Sequence, residues 1–137
     1  MQAIINELHI AVPMDTTSLA GLRWDAWAYL TASGVAPGMT EDILVALHEA
    51  VANALRHSRS ANDVRVAIKA TRTYVTVEVT DCGIGLDPGV PIPPRPPSVQ
   101  SEGGRGLYMI WSLMSEVRVA VGSGTHLTMV KRLFPQT

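Results

Sequence analysis

With 137 residues, the chain is long enough for one domain with its own hydrophobic core, and a single unit over 1–137 is expected. Eleven Lys and Arg against twelve Asp and Glu leave a net charge of -1, without the clustered positive charge of a nucleic-acid footprint. Although 47% of the residues are apolar, no run approaches the ~20 residues of a membrane span. A lone Cys82 builds neither a disulfide framework nor a zinc site, and no charged-then-apolar leader opens the chain. The expectation is a cytoplasmic protein without direct contacts to nucleic acid or membrane.

Leu8, Ile10 and Val12 alternate with His9 and Ala11 before Pro13, the pattern of a short strand with one buried face. Asp15 or Thr16 can cap a helix running to about Thr31, with Leu19, Leu22, Ala26 and Leu30 at helical spacing and Ser33-Gly34 as its stop. Arg23 lies at the edge of that stripe, and Trp24 and Trp27 lie progressively further round. Large aromatics in such places pack against a neighbouring loop or form a protein contact surface.

After Pro37-Gly38, Thr40 suits an N-cap, and Glu41 and Asp42 suit the positive end of the helix dipole. Ile43, Leu47, Val51 and Leu55, with Leu44 alongside, form the buried stripe of a long helix. Asp42, Glu49, Asn53 and Arg56 share another sector. Glu49 and Asn53 are one turn apart and project to the same place, where one side chain can hold a cation while the other handles a proton. Taken alone, two such residues are more often solvated members of an amphipathic helix. His57 lies nearer the stripe, where a helix-end histidine serves as a dipole partner or a packed residue.

Val64, Val66 and Ile68, then Val75, Val77 and Val79, alternate with polar residues on either side of Thr71-Arg72-Thr73 and predict an antiparallel hairpin. Its second strand runs into Asp81-Cys82-Gly83-Ile84-Gly85, where an acidic residue at a strand end is followed by glycines that allow a close turn. Six of the nine prolines fall between 88 and 97, so Asp87 to Ser101 reads as an extended loop. Too little chain follows for a second domain, which favours a lid of about 87–102 over a linker. A docking segment for a reader of proline-rich ligands is the other possibility. Gly103-Gly104-Arg105-Gly106 then opens a helix with Leu107, Ile110, Trp111 and Met114 at helical spacing. Free N–H groups at such a start suit phosphate, although the pattern is neither the Walker nor the dinucleotide type. Val117, Val119 and Val121, the turn Gly122-Ser123-Gly124, and Thr125 to Arg132 complete the chain as a hairpin.

Taken in order, helix with Glu-x-x-x-Asn, strand ending in Asp-x-Gly-x-Gly, loop, Gly-x-Gly helix and hairpin with Gly-Thr, the chain resembles the ATP-binding domain shared by gyrase B, histidine kinases and MutL. Within that group it is most similar to the bacterial anti-sigma factor serine/threonine kinases of the RsbW and SpoIIAB type, over nearly its whole length. The resemblance implies an α+β fold, a two-layer sandwich of the GHKL (Bergerat) kind, with a mixed, mostly antiparallel sheet and helices on one face. It implies ATP and Mg2+ as cofactors. Asn53 would hold the metal, and Glu49 would be the general base that takes a proton from the attacking hydroxyl. Asp81 would accept the adenine amino group, with Thr125 close by and Gly83 and Gly85 shaping the pocket. Gly104, Arg105, Gly106 and Leu107 would hold the phosphates. Arg23 falls where the family carries a partner-binding arginine. The implied partners are a sigma factor and a STAS-domain anti-anti-sigma protein, phosphorylated on Ser or Thr, and the implied assembly is a homodimer. Glu102 stands just before the glycines, and a carboxylate beside phosphates is unfavourable unless it points away. A nucleotide-responsive binding module with weak or absent phosphotransfer is therefore the alternative.

Overall fold

The computed structural model describes residues 7–13, 16–57, 63–83, 92–96, 105–122 and 124–133. Five strands form one sheet: β1 (Glu7–Val12), β2 (Val64–Ala70), β3 (Tyr74–Asp81), β4 (Glu116–Val121) and β5 (Thr125–Arg132), in the order β1-β2-β3-β5-β4. Every pairing is antiparallel, so the expected mixed sheet is, among the described residues, purely antiparallel. Three helices, α1 (Leu19–Ala32), α2 (Pro37–His57) and α3 (Arg105–Leu113), cover one face. The fold is α+β, as the motif order implied.

Strand alternation decides which side chains meet the helices. Val64, Val66, Ile68, Val75, Val77, Val79, Leu127 and Met129 are buried, and they form one core with Leu22, Ala26, Leu30, Ile43, Leu47, Val51, Leu107 and Ile110 from the helices. Arg65, Glu78, Thr80 and His126 occupy the alternate positions and remain exposed or half-buried on the open face. There His126 Nδ1 lies 2.9 Å from Thr80 Oγ1. The β2–β3 register is fixed at its turn, where Thr71 Oγ1 accepts from the N–H groups of Thr73 and Tyr74 at 3.3 and 3.2 Å.

Three helix starts or packings differ from expectation. A 3-10 turn at Thr16–Ser18 leads into α1, and Ser18 makes no side-chain cap, so neither Asp15, outside the described residues, nor Thr16 immediately precedes the helix. Helix α2 begins at Pro37 rather than after Thr40, because proline has no N–H to lose and its fixed φ suits a first helical position. Thr40 is consequently inside the helix and buried, its hydroxyl donating to the Val35 carbonyl at 3.4 Å, and Glu41 and Asp42 fall beyond the first turn. Trp24 and Trp27 are not packed under a loop. They are 67% and 44% exposed and stack on one another with ring centroids 5.3 Å apart, beside the exposed Arg23.

The end of α1 sets the angle at which α2 enters. The N–H of Val35 donates to the Leu30 carbonyl at 3.0 Å and that of Gly34 to the Thr31 carbonyl at 3.0 Å, the paired bonds of a Schellman cap. Leu30 and Val35 are both buried, as that cap requires, and Gly34 carries the left-handed φ of 83°. A side chain at that φ costs about 1–2 kcal/mol. Gly34→Ala is therefore expected to lower the melting temperature by roughly 3–8 °C. An unchanged melting curve would show that the cap does not constrain the α1–α2 corner.

Candidate functional site

Helix α2 carries the polar sector toward α3. Its buried stripe, Ile43, Leu47 and Val51, faces the sheet, and the small Ala46, Ala50 and Ala54 are buried beside it. Asn53 is only 4% exposed and Glu49 is half-buried. The pair is therefore not the freely solvated face that its spacing also allowed, since burying an amide has a cost that an exposed helix position avoids.

Glu49 meets the start of α3. A Cβ placed on Gly106 would collide with Glu49 Oε2 and lie 3.4 Å from its carboxyl carbon. The glycine thus lets a carboxylate come against the first turn of a helix, where unpaired N–H groups and the helix dipole favour negative charge. Within the same turn Arg105 is exposed. Leu107 is buried in the core, so only its main chain could face a phosphate. Gly104 and Glu102 lie outside the described residues, as do Gly85 and most of the expected lid, of which only 92–96 are described.

The second cluster lies where β3 ends and β5 begins. Asp81 and Thr125 are direct partners in the β3–β5 register and are 4% and 3% exposed. Gly83 joins them by donating its N–H to Asp81 Oδ1 at 2.8 Å, and its carbonyl accepts from the Thr125 hydroxyl at 3.1 Å. One oxygen of the carboxylate is thus fixed by the backbone. Burial raises the Asp81 pKa, and the Gly83 hydrogen bond opposes that rise. A buried carboxyl whose pKa is raised, set beside glycines at a strand end, is a candidate binding group.

Gly124 was read from sequence only as a turn residue. Its role is space, because a Cβ there would collide with the Asp81 carbonyl oxygen and come within 3.1 Å of Cys82 Cα. Only glycine lets β5 start this close to the end of β3, and the sequence signal was the Gly-Thr pair itself. Also missed was Lys131, whose ammonium lies 3.1 Å from Asp42 Oδ2 and donates to the Leu113 carbonyl. A groove of about 300 Å³ on the open face, lined by His9, Arg65, Glu78 and Thr80 among others, shares no residue with either cluster. Among the described residues, no group of three His, Cys, Asp or Glu side chains could hold a metal ion unaided. No described helix is long and apolar enough to cross a membrane.

Residues 12–131 match the family described as the histidine kinase-like ATPase domain. The serine-protein kinase RsbW of Bacillus licheniformis is 34% identical over 76% of this chain and 75% of that protein. The RsbW of Bacillus velezensis is also 34% identical, over 97% and 89%. Among solved structures, one holding the RsbU and RsbW domains of a Mycobacterium tuberculosis protein superposes with a TM-score of 0.72 at 25% identity. That match covers 93% of this chain and 32% of the solved one. The chain belongs to the histidine kinase-like ATPase domain family and, within it, to the serine-protein kinases of the RsbW type.

The pKa of Asp81 makes a stability prediction whose sign follows from linkage. Because the folded value is raised, ionising Asp81 costs folding stability. That cost is absent below the unfolded-state value and sets in as pH rises through the folded one. Asp81→Asn keeps the acceptor for Gly83 and never ionises. Denaturant melts should therefore show the variant gaining stability over the parent at neutral pH, with the gain shrinking in acid. A difference independent of pH would mean that the carboxyl is not desolvated.

Proposed function

We propose that the whole chain, one domain over 1–137, is an ATP-dependent protein serine/threonine kinase and anti-sigma factor. In this reading it phosphorylates a STAS-domain anti-anti-sigma protein and sequesters a sigma factor. The observation that carries the reading is the placement of Glu49 against the Gly106 end of α3, within a chain of the RsbW-type kinase family. A carboxylate at that point stands beside the natural seat of an anion, where a base is needed for phosphoryl transfer and little else is required beyond positioning and charge neutralisation.

In the reaction, Glu49 accepts the proton of the acceptor hydroxyl as that oxygen forms a bond to the γ-phosphorus. The bond from the γ-phosphorus to the oxygen bridging it to ADP breaks, and ADP leaves. The α3 start, with Gly104, Arg105, Gly106 and the Leu107 N–H, binds the phosphates. Asp81 accepts a hydrogen bond from the adenine amino group, its free oxygen presented by the Gly83 and Thr125 network. The family resemblance assigns Gly85 and the proline-rich segment, which lie largely outside the described residues, the roles of pocket wall and lid.

The donor set fits Mg2+. The buried amide oxygen of Asn53 is a hard donor on the sector of α2 that carries Glu49, and a Mg2+ ion is commonly held by few protein groups together with substrate phosphates. Asn53 would hold the ion, which when bound neutralises charge on the transferring phosphoryl oxygens. Arg23 and the neighbouring Trp pair offer an exposed surface of the composition enriched at protein interfaces. They support a partner-binding role for α1 in a homodimeric, cytoplasmic kinase.

The test is transfer from labelled ATP with Mg2+ to STAS-domain proteins of the same cell. Glu49→Ala is expected to lose transfer by roughly 10²–10⁴-fold while still binding ADP. Asp81→Asn should weaken nucleotide binding by about 10–100-fold, the worth of a hydrogen bond to a charged group. Label absent from every acceptor, with nucleotide still bound, would replace the kinase by a nucleotide-responsive module. Failure to bind nucleotide would remove both.

A further inference from the structure

Lys131 occupies a position that strand alternation assigns to the core. It follows Leu127 and Met129 on the helix-facing side of β5, and its side chain is only 13% exposed. A buried ammonium is costly unless its hydrogen bonds are met, and here they are met by two helices at once. Its Nζ lies 3.1 Å from Asp42 Oδ2 on α2 and donates to the carbonyl of Leu113, the last residue of α3. That carbonyl is one of those a helix end leaves unpaired, and a cation there also favours the helix dipole.

Besides the core packing of Leu107 and Ile110, two polar links between α3 and α2 are in register. Asp42 and Glu49 are seven residues apart on one sector of α2, and Leu113 and Gly106 are seven residues apart on α3. Seven residues make two turns and about 10.5 Å in either helix. The helices therefore run in opposite directions, with Gly106 against Glu49 at one end and Leu113 joined through Lys131 to Asp42 at the other. A shift of α3 along α2 that broke the Lys131 contacts would carry Gly106 away from Glu49 by the same distance.

We propose that Lys131 is a positioning residue for the nucleotide site. It holds, together with the core packing of Leu107 and Ile110, the axial register of α3 on α2 and thereby the placement of the phosphate-binding helix start relative to Asn53 and Glu49. The role rests on the assignment of Glu49 and the α3 start to that site. Lys131 touches neither substrate nor reacting atoms, and its ion pair sets register more than it adds stability.

The decisive variants are Lys131→Met, which keeps length and volume without charge, and Lys131→Arg, which keeps the charge and donors. For Lys131→Met the KM for ATP and the dissociation constant for ADP should rise by about fivefold or more, given how steeply small misplacements act. The KM for the protein acceptor should stay within about twofold, because α1 is untouched. Lys131→Arg should recover most of the loss. Amide exchange in the nucleotide-free protein provides a second readout. Lys131→Met should accelerate it across Gly106 to Ile110 while the buried turns of α2 keep their protection. Unchanged nucleotide affinity in Lys131→Met, or unchanged α3 exchange, overturns the proposal. A parent chain that binds no nucleotide overturns the site assignment instead, so the two failures are distinguishable.

Discussion

The close approach of α3 to α2 is the constraint on which the rest of the structure depends. A Cβ at Gly106 would overlap the Glu49 carboxylate as it stands, so a larger residue there would push that carboxylate into another rotamer, away from the α3 start. Removing that carbon brings a negative group to the positive end of a helix. The arrangement is favourable only while the helix stays in place, and its far end is tied to β5 and α2 by the Lys131 ammonium. The geometry of the proposed site is thus maintained by the sheet as much as by the helix that carries Glu49.

Polar burial follows the same economy. The buried polar or charged residues among those described are Thr40, Asn53, Asp81 and Thr125. Thr40 closes a backbone bond at the α1–α2 corner and is structural. The other three belong to the proposed site. Asp81, Gly83 and Thr125 satisfy one another across the β3–β5 end, and Gly124 removes the one side chain that would separate the strands there. Apart from Thr40 and the Lys131 ammonium, these buried polar groups gather where a ligand with polar edges would bind, which is where a fold departs from pure packing.

The exposed surface divides along similar lines. The stacked Trp24 and Trp27 lie on α1 and leave apolar area in water that a purely structural helix would bury. In the proposed reading, partner contact through α1 and chemistry between α2, α3 and β3 fall on different elements, joined through the Schellman corner at Gly34 that sets one helix against the next.

Hydrophobic alternation was enough to place the five strands, and helical spacing enough to place the three helices, because burial of one face repeats at a period that the chain displays locally. The same local order made Glu49, Asn53, Asp81 and Thr125 legible as candidate site residues, since each sits at a helix sector or strand end defined by its neighbours in sequence. Helix starts were legible only in part, because Pro37 and Thr40 both carry start signals and the geometry of the preceding turn chose between them. The exposure of the Trp pair was likewise undecided by spacing. What tertiary structure alone decided is contact between residues distant in the chain. Gly106 against Glu49, Gly124 against Asp81, and Lys131 between Asp42 and Leu113 arise only when the sheet brings separate elements together. No local pattern encodes them, because each depends on the relative placement of whole elements, and that placement is fixed by packing of the common core.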